Sequence, residues 1–218
     1  MSAITFSSSY RNYIISIIGL ACATKVYRLL YNKSKSKQAN DVETTDPEIE
    51  EVLLFSDEAI DCRKHMFEVK GCDSPHCPAD NLAKIVDYMS SAKKSIDICV
   101  HFITCNSIGN AIFDAIKRGV IVRVITDEES SKNYSSLSIK FMRANCEVKA
   151  NKFKENFMHH KFAVIDKKIL ISGSANWTMQ AFYGNYENVI ITNDKVMVKS
   201  FLTEFNYLWE TLPQFYIS

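Results

Sequence analysis

From His159 to Glu187 the chain reads HHKFAVIDKKILISGSANWTMQAFYGNYE, two apolar runs joined by a short polar turn. Phe162–Ile165 and Ile169–Ser172 read as two buried strands turning about Asp166-Lys167-Lys168. Side chains alternate across a strand, so His159 and Lys161 leave its start on one face. Gly173, Ser174 and Ala175 are small enough to let the backbone approach a ligand, and Asn176 can then donate to it. An imidazole, an ammonium, a hydroxyl and an amide converge in this way. That set suits an anionic, tetrahedral group such as phosphate.

A lone His-x-Lys is commonly a solvated strand end. The full string His159-x-Lys161-x4-Asp166-x6-Gly173-Ser174-x-Asn176 fixes too many positions for that reading. It resembles the signature of the phospholipase D superfamily. The surrounding MHHKF and GSANWT are most similar to its single-motif branch, called Zucchini or mitochondrial phospholipase D. The resemblance covers residues 52–212 and an N-terminal anchor besides.

Net charge is +1 over 218 residues, but residues 1–40 carry six Lys/Arg and no acid, and residues 41–51 carry six acids and no base. Global charge therefore says little about partners, and any basic groove must be local. Tyr13–Thr24 is an uncharged run of 12 residues, extendable to Tyr31 if Lys25 and Arg28 snorkel. A cleaved signal peptide is the competing reading. Against it, the strongest basic cluster (Lys33, Lys35, Lys37) follows the apolar run, which leaves the remainder of the chain in the cytosol. Residues 1–31 are thus expected to form a single-pass membrane anchor, 32–51 a charged linker and 52–212 the catalytic domain. The resemblance implies the mitochondrial outer membrane, with that domain facing the cytosol.

Of seven cysteines, Cys99, Cys105 and Cys146 lie in or beside apolar runs and read as buried thiols, in a reduced compartment. Cys62, His65, Cys72, His76 and Cys77 fall within sixteen residues, a dense set of zinc ligands. The family carries a small atypical zinc finger here, and Cys72-x3-His76 resembles one of its arms. Lys70 stands where the family has another Cys, so Cys77 or His65 must supply the missing ligand. Cys62, Cys72, His76 and Cys77 are the expected set, and a closed tetrahedral site of this kind is structural.

Glu51–Phe55 opens the globular domain as a strand. Leu82, Ile85, Val86 and Met89 then recur at helical spacing behind Asp80, a candidate N-cap. Ser95–Ile103 reads as a buried strand, in which His101 is a core histidine without a role. Ile108, Ala111, Ile112, Ala115 and Ile116 form a helical stripe ended by Gly119. Val120–Thr126 is a strand, residues 137–144 a helix and Cys146–Ala150 a strand. Beyond the two motif strands come a short helix after Asn176, a strand at Asn188–Thr192 and a last helix. That helix presents Val198, Phe201, Leu202, Phe205, Leu208, Trp209 and Leu212 to the core. Strands alternating with helices predict an α/β fold around one mixed sheet. By resemblance it is a phospholipase D-like sandwich, a central mixed β-sheet flanked by helices, with a small zinc-binding insertion at 62–77.

Phosphodiester hydrolysis needs a nucleophile, stabilisation of the nonbridging oxygens and an acid for the leaving oxygen. No carboxylate cluster suggests a two-metal site, so no cofactor is expected for catalysis. Neutral His159 is the expected nucleophile, forming a phosphohistidine that water releases. Lys161, Asn176 and Ser174 would hold the phosphoryl oxygens. By resemblance Glu187 holds the tautomer of the nucleophile. Asp166 belongs to the signature but lies at the far end of its strand, where it acts on fold geometry more than on substrate. None of the other four histidines is followed by Lys at the second position, so the acid is missing from one copy. A homodimer with the active site on its two-fold axis brings two His159 together and supplies it. His160 is the in-chain alternative, but adjacent strand residues point to opposite faces.

The resemblance implies an endonuclease for single-stranded RNA in small guide RNA (piRNA) biogenesis in the germline. The alternative is a cardiolipin hydrolase producing phosphatidic acid. The intact catalytic set argues against an idle membrane scaffold. RNA is favoured by Lys149, Lys152 and Lys154 before the motif, by Lys167 and Lys168 after it, and by Phe153, Phe157 and Tyr183 as stacking faces.

Overall fold

A computed structural model describes residues 47–56, 62, 64, 65, 72, 74, 77–153 and 156–216. The expected anchor at 1–31, most of the charged linker, and the candidates His76 and Lys154 lie outside the described residues. Among the described residues no helix is long and apolar enough to cross a membrane.

Burial at nearly every residue marks the central strands, which are covered on both faces, and amphipathic stripes mark the helices. The strands are β1 (Glu50–Phe55), β2 (Ser95–Val100), β3 (Ile121–Asp127), β4 (Glu147–Asn151), β5 (Lys161–Ile165), β6 (Ile169–Gly173) and β7 (Glu187–Thr192). The helices are α1 (Pro78–Ser90), α2 (Asn106–Lys117), α3 (Glu128–Lys132), α4 (Ser138–Arg143), α5 (Met179–Gly184) and α6 (Lys195–Thr211). The strands form one seven-stranded sheet in the order β1-β7-β6-β5-β2-β3-β4. β2, β3 and β4 run parallel, as expected of strands joined through helices, whereas β1, β7, β6, β5 and β2 pair antiparallel in sequence. The sheet is therefore mixed, with helices on both faces.

One face carries the larger core, built from α1, α2, α4 and α5 with Leu82, Ile85, Ile108, Ile112, Phe141 and Phe182. Ala163 and Ile165 of β5 point into it, and Phe162 and Val164 point to the other face, where Val198 and Phe205 of α6 close a second core. Phe201, Leu208 and Trp209 are only partly buried against that core. Beneath α6 the buried Asp97 carboxylate takes the Arg123 Nε–H at 2.7 Å. The Arg123 guanidinium lies 4.7 Å from the Phe205 ring centroid and 5.2 Å from that of Trp209. Pairing and stacking together make a buried charge tolerable in this layer.

Three local expectations change. Cys77 occupies the N-cap position of α1 without a side-chain capping bond, Pro78 follows it, and Asp80 lies in the first turn, because proline's fixed φ suits the first helical position. Strand β2 stops at Val100, short of Ile103, where the chain bends away at His101. The short helix α3 was not expected. Its signal is Asp127 followed by two glutamates, and Asp127 caps it by accepting from the Glu129 and Ser130 N–H groups at 3.1 and 3.2 Å.

Candidate active site

The parallel strands β2 and β3 end on one edge of the sheet, where β5 and β7 begin and β6 finishes. Ligand sites of α/β sheets lie at such carboxyl ends. This geometry brings His159, Lys161, Ser174, Asn176 and Glu187 to the same edge and leaves Asp166 at the opposite one.

His159 is exposed just ahead of β5. The Lys161 charge, then partial burial, then His101 and His160 hold its pKa below the usual 6.5, so the imidazole is neutral at pH 7. Burial likewise lowers the pKa of Lys161, while the Glu187 carboxylate works against that shift. His160 points the other way, its Nε2 lying 3.4 Å from Glu204 on α6 and its ring 5.5 Å from Phe162.

Gly173 is where β6 approaches β7 too closely for a side chain. A Cβ there would lie 2.0 Å from the Asn188 carbonyl oxygen. Past it, Ser174 N–H donates to that carbonyl at 3.0 Å, and the Asn188 N–H donates to Ser174 Oγ at 3.0 Å. Ser174 Oγ in turn donates to Glu187, whose other oxygen accepts from Asn185 Nδ2 at 3.1 Å. Glu187 thus accepts from Ser174 and Asn185 within the chain, and its charge also acts on Lys161. Among the described residues Asn176 Oδ1 is buried without a hydrogen-bond partner, which costs about 1–3 kcal/mol unless a donor from a ligand satisfies it. Asn185, which no sequence pattern singled out, joins Asn176 and Thr104 in lining a cleft of about 410 Å³ beside this network.

Asp166 accepts from the Lys93, Lys94 and Ser95 N–H groups at 2.9, 2.7 and 2.9 Å. Burial alone would raise its pKa, but these three donors prevail and hold it below the usual carboxylate range.

A second cleft, of about 430 Å³, is lined by Asp127, Glu128, Glu129, Lys132, Asn151, Lys152, Phe153 and Phe157, and Lys132 pairs with Glu128 at 3.1 Å. Phe153 and Phe157 are 54% and 72% exposed. The Phe157 ring is 6.3 Å from the His101 ring, and His101 is 5.3 Å from His159, so a row of rings leads from the cleft to His159. The other proposed RNA contacts are elsewhere. Lys149 donates to the Trp209 carbonyl and lies 5.0 Å from its ring, beneath α6. Tyr183 is core, at 5% exposure. Lys167 and Lys168 turn the hairpin at the far edge, about 17 Å along β5 from the site. Closeness in sequence misled because a strand carries the chain across the whole sheet.

Between β1 and α1, Cys62, His65, Cys72 and Cys77 bring four ligand atoms within 4.8 Å of one another. Cys62 and Cys72 sulfurs are 3.7 Å apart, and Cys77 Sγ is 3.8 Å from His65 Nδ1. Tetrahedral zinc–thiolate sites have sulfur–sulfur edges of about 3.8 Å, so the donor set fits a structural zinc ion with His65 as fourth ligand.

The family described as cardiolipin synthase, PLD-like domain, matches residues 85–209. A mitochondrial cardiolipin hydrolase of Chlamydomonas reinhardtii is 37% identical over 164 residues, 73% of this chain and 73% of that protein. Among solved structures, NucT from Helicobacter pylori superposes with a TM-score of 0.61 at 26% identity, over 77% of this chain and 99% of that one. Nuc from Salmonella typhimurium, a phospholipase D family member, gives 0.62 at 21% identity over 78% and 99%, a likeness of fold.

Proposed function

The chain belongs to the phospholipase D-like family of phosphodiesterase-type hydrolases, and from that membership we propose that it cleaves single-stranded RNA through a phosphohistidine on His159. The observation that carries the RNA reading is the row of rings from Phe157 through His101 to His159. Unpaired bases stack on such rings, and Lys152 beside Phe153 can meet the backbone.

The step is a displacement at phosphorus. A ring nitrogen of neutral His159 forms the N–P bond as the P–O3′ bond breaks, leaving a 3′-hydroxyl. Water then breaks the N–P bond and releases a 5′-phosphate. Lys161 and the Asn176 Nδ2–H donors stabilise the phosphoryl oxygens, and Ser174, whose hydroxyl proton goes to Glu187, holds that carboxylate beside them. The leaving oxygen takes its proton from the His159 of a second copy across a two-fold axis, which is in its protonated form while the attacking His159 is neutral. Dimers mixed from wild type and His159→Asn should then be inactive, since each site needs both histidines. Half the wild-type rate in the mixed dimer would mean independent sites.

The second reading rests on the name of the relatives, mitochondrial cardiolipin hydrolase. Attack on that lipid would give a phosphatidyl-histidine as the P–O bond to the central glycerol breaks and phosphatidylglycerol leaves, and water would then break the N–P bond and release phosphatidic acid. The mitochondrial name, with basic residues behind an apolar segment, supports placement at the outer mitochondrial membrane, checkable by fractionation. Single-stranded RNA and cardiolipin vesicles, offered side by side, decide the substrate. RNA cut to 5′-phosphate ends, with loss in His159→Asn, is expected. Phosphatidic acid released while RNA stays intact would replace the nuclease with the lipase.

A further inference from the structure

The main chain that carries His159 is held at three consecutive carbonyls. The β2/β5 ladder ends at the Val100–Lys161 pair, yet the residues before Lys161 are not left loose. The His101 N–H donates to the His160 carbonyl at 2.9 Å. The Lys161 ammonium donates to the carbonyl of His159 itself at 2.7 Å. The His101 Nδ1 lies 3.0 Å from the carbonyl of Met158. A carbonyl only accepts, so the proton of a neutral His101 is on Nδ1. Its Nε2 is then an acceptor, and Ser130 Oγ of α3 lies 3.1 Å from it. The His101 carbonyl accepts from Thr126 Oγ1 at 3.0 Å, which ties the residue to β3 as well. Both ring nitrogens are engaged in this way, so His101 is not placed to exchange protons with substrate.

We propose that His101 is a positioning residue for the nucleophile, gripping the carbonyls of Met158 and His160 so that the main chain on both sides of His159 is fixed before substrate arrives. The inference rests on the phosphodiesterase reading of His159. Its physical basis is orientation: a nucleophile preset near its line of attack reacts faster, and a displacement of about 1 Å can cost about 100-fold in rate. The last ladder bond is the one from the His101 N–H to the His160 carbonyl, and beyond it the imidazole takes the place of a strand donor at the Met158 carbonyl. An asparagine at 101 can place its amide N–H near the position of Nδ1. Phenylalanine keeps a ring and loses the donor. Glutamine carries its amide nearer to Nε2.

The test uses the full-length protein and bis(p-nitrophenyl) phosphate, a diester that prejudges neither RNA nor lipid. For His101→Phe, kcat should fall about 10–100-fold with KM within about twofold of wild type, because the loss is one of alignment. His101→Asn should stay within about threefold of wild type, and His101→Gln should follow His101→Phe. If His101→Phe does not fold, the difference between the Asn and Gln variants carries the same test. Asn no faster than Gln and Phe, or Phe as fast as wild type, overturns the positioning role while leaving the phosphodiesterase intact. Wild type that leaves the diester untouched removes the phosphodiesterase reading, and the positioning role with it.

Discussion

Asp166 is in the motif yet does its work on the far side of the sheet. Its carboxylate gathers the Lys93, Lys94 and Ser95 N–H groups where the chain enters β2, and its own φ of +52° is left-handed, a region asparagine tolerates. Asp166→Asn therefore keeps the backbone but loses the charge, and should lower stability at pH 7 by about 2 kcal/mol. Because the folded pKa lies below the unfolded value of about 3.9, this stabilisation is present above that pH and fades as pH falls through the folded pKa. Urea midpoints of the two proteins should differ at pH 7 and converge toward pH 3. Equal midpoints at pH 7, or a gap that survives acid, would contradict this. The motif spacing made His159, Lys161, Ser174, Asn176 and Glu187 legible as one site, because two short strands and a tight turn leave little freedom. Lys149 and Tyr183 were misread because exposure depends on α6 and the larger core, which are distant in sequence. His101 was invisible for a related reason: its donor matters only because β2 stops one residue before it.

The hairpin β5–β6 and helix α2 follow directly from apolar periodicity, and their bounds moved by only a residue or two from those expected. Element ends were less legible, since Pro78 starts α1 where a capping carboxylate had been expected. Spacing alone left the fourth zinc ligand open between Cys77 and His65. The described cluster holds both, with Cys77 at the N-cap position of α1. Zinc held there would fasten the insertion to the helix that follows it. Elemental measurement should find about one zinc per chain, and Cys72→Ser should lose the metal and melt at lower temperature. A chelator, by contrast, should leave turnover intact over the time of an assay. Protein purified without zinc, or Cys72→Ser as stable as wild type, would remove this element from the account.

On the scale of the molecule, one mixed sheet collects groups from strands of opposite direction at a single edge. The β2 end contributes His101, the approach to β5 contributes His159 and Lys161, and the β6–β7 crossing contributes Ser174 and Glu187. The proposal that His159, held neutral beside Lys161, is the nucleophile is the centre of the account. The most direct measurement traps the intermediate. Enzyme is denatured in alkali during turnover of a single-stranded oligonucleotide and of cardiolipin, then digested and mapped by mass spectrometry. The account predicts a phosphorus-linked adduct on His159, absent from His159→Asn. An adduct on any other residue, or turnover that persists in His159→Asn, would contradict it.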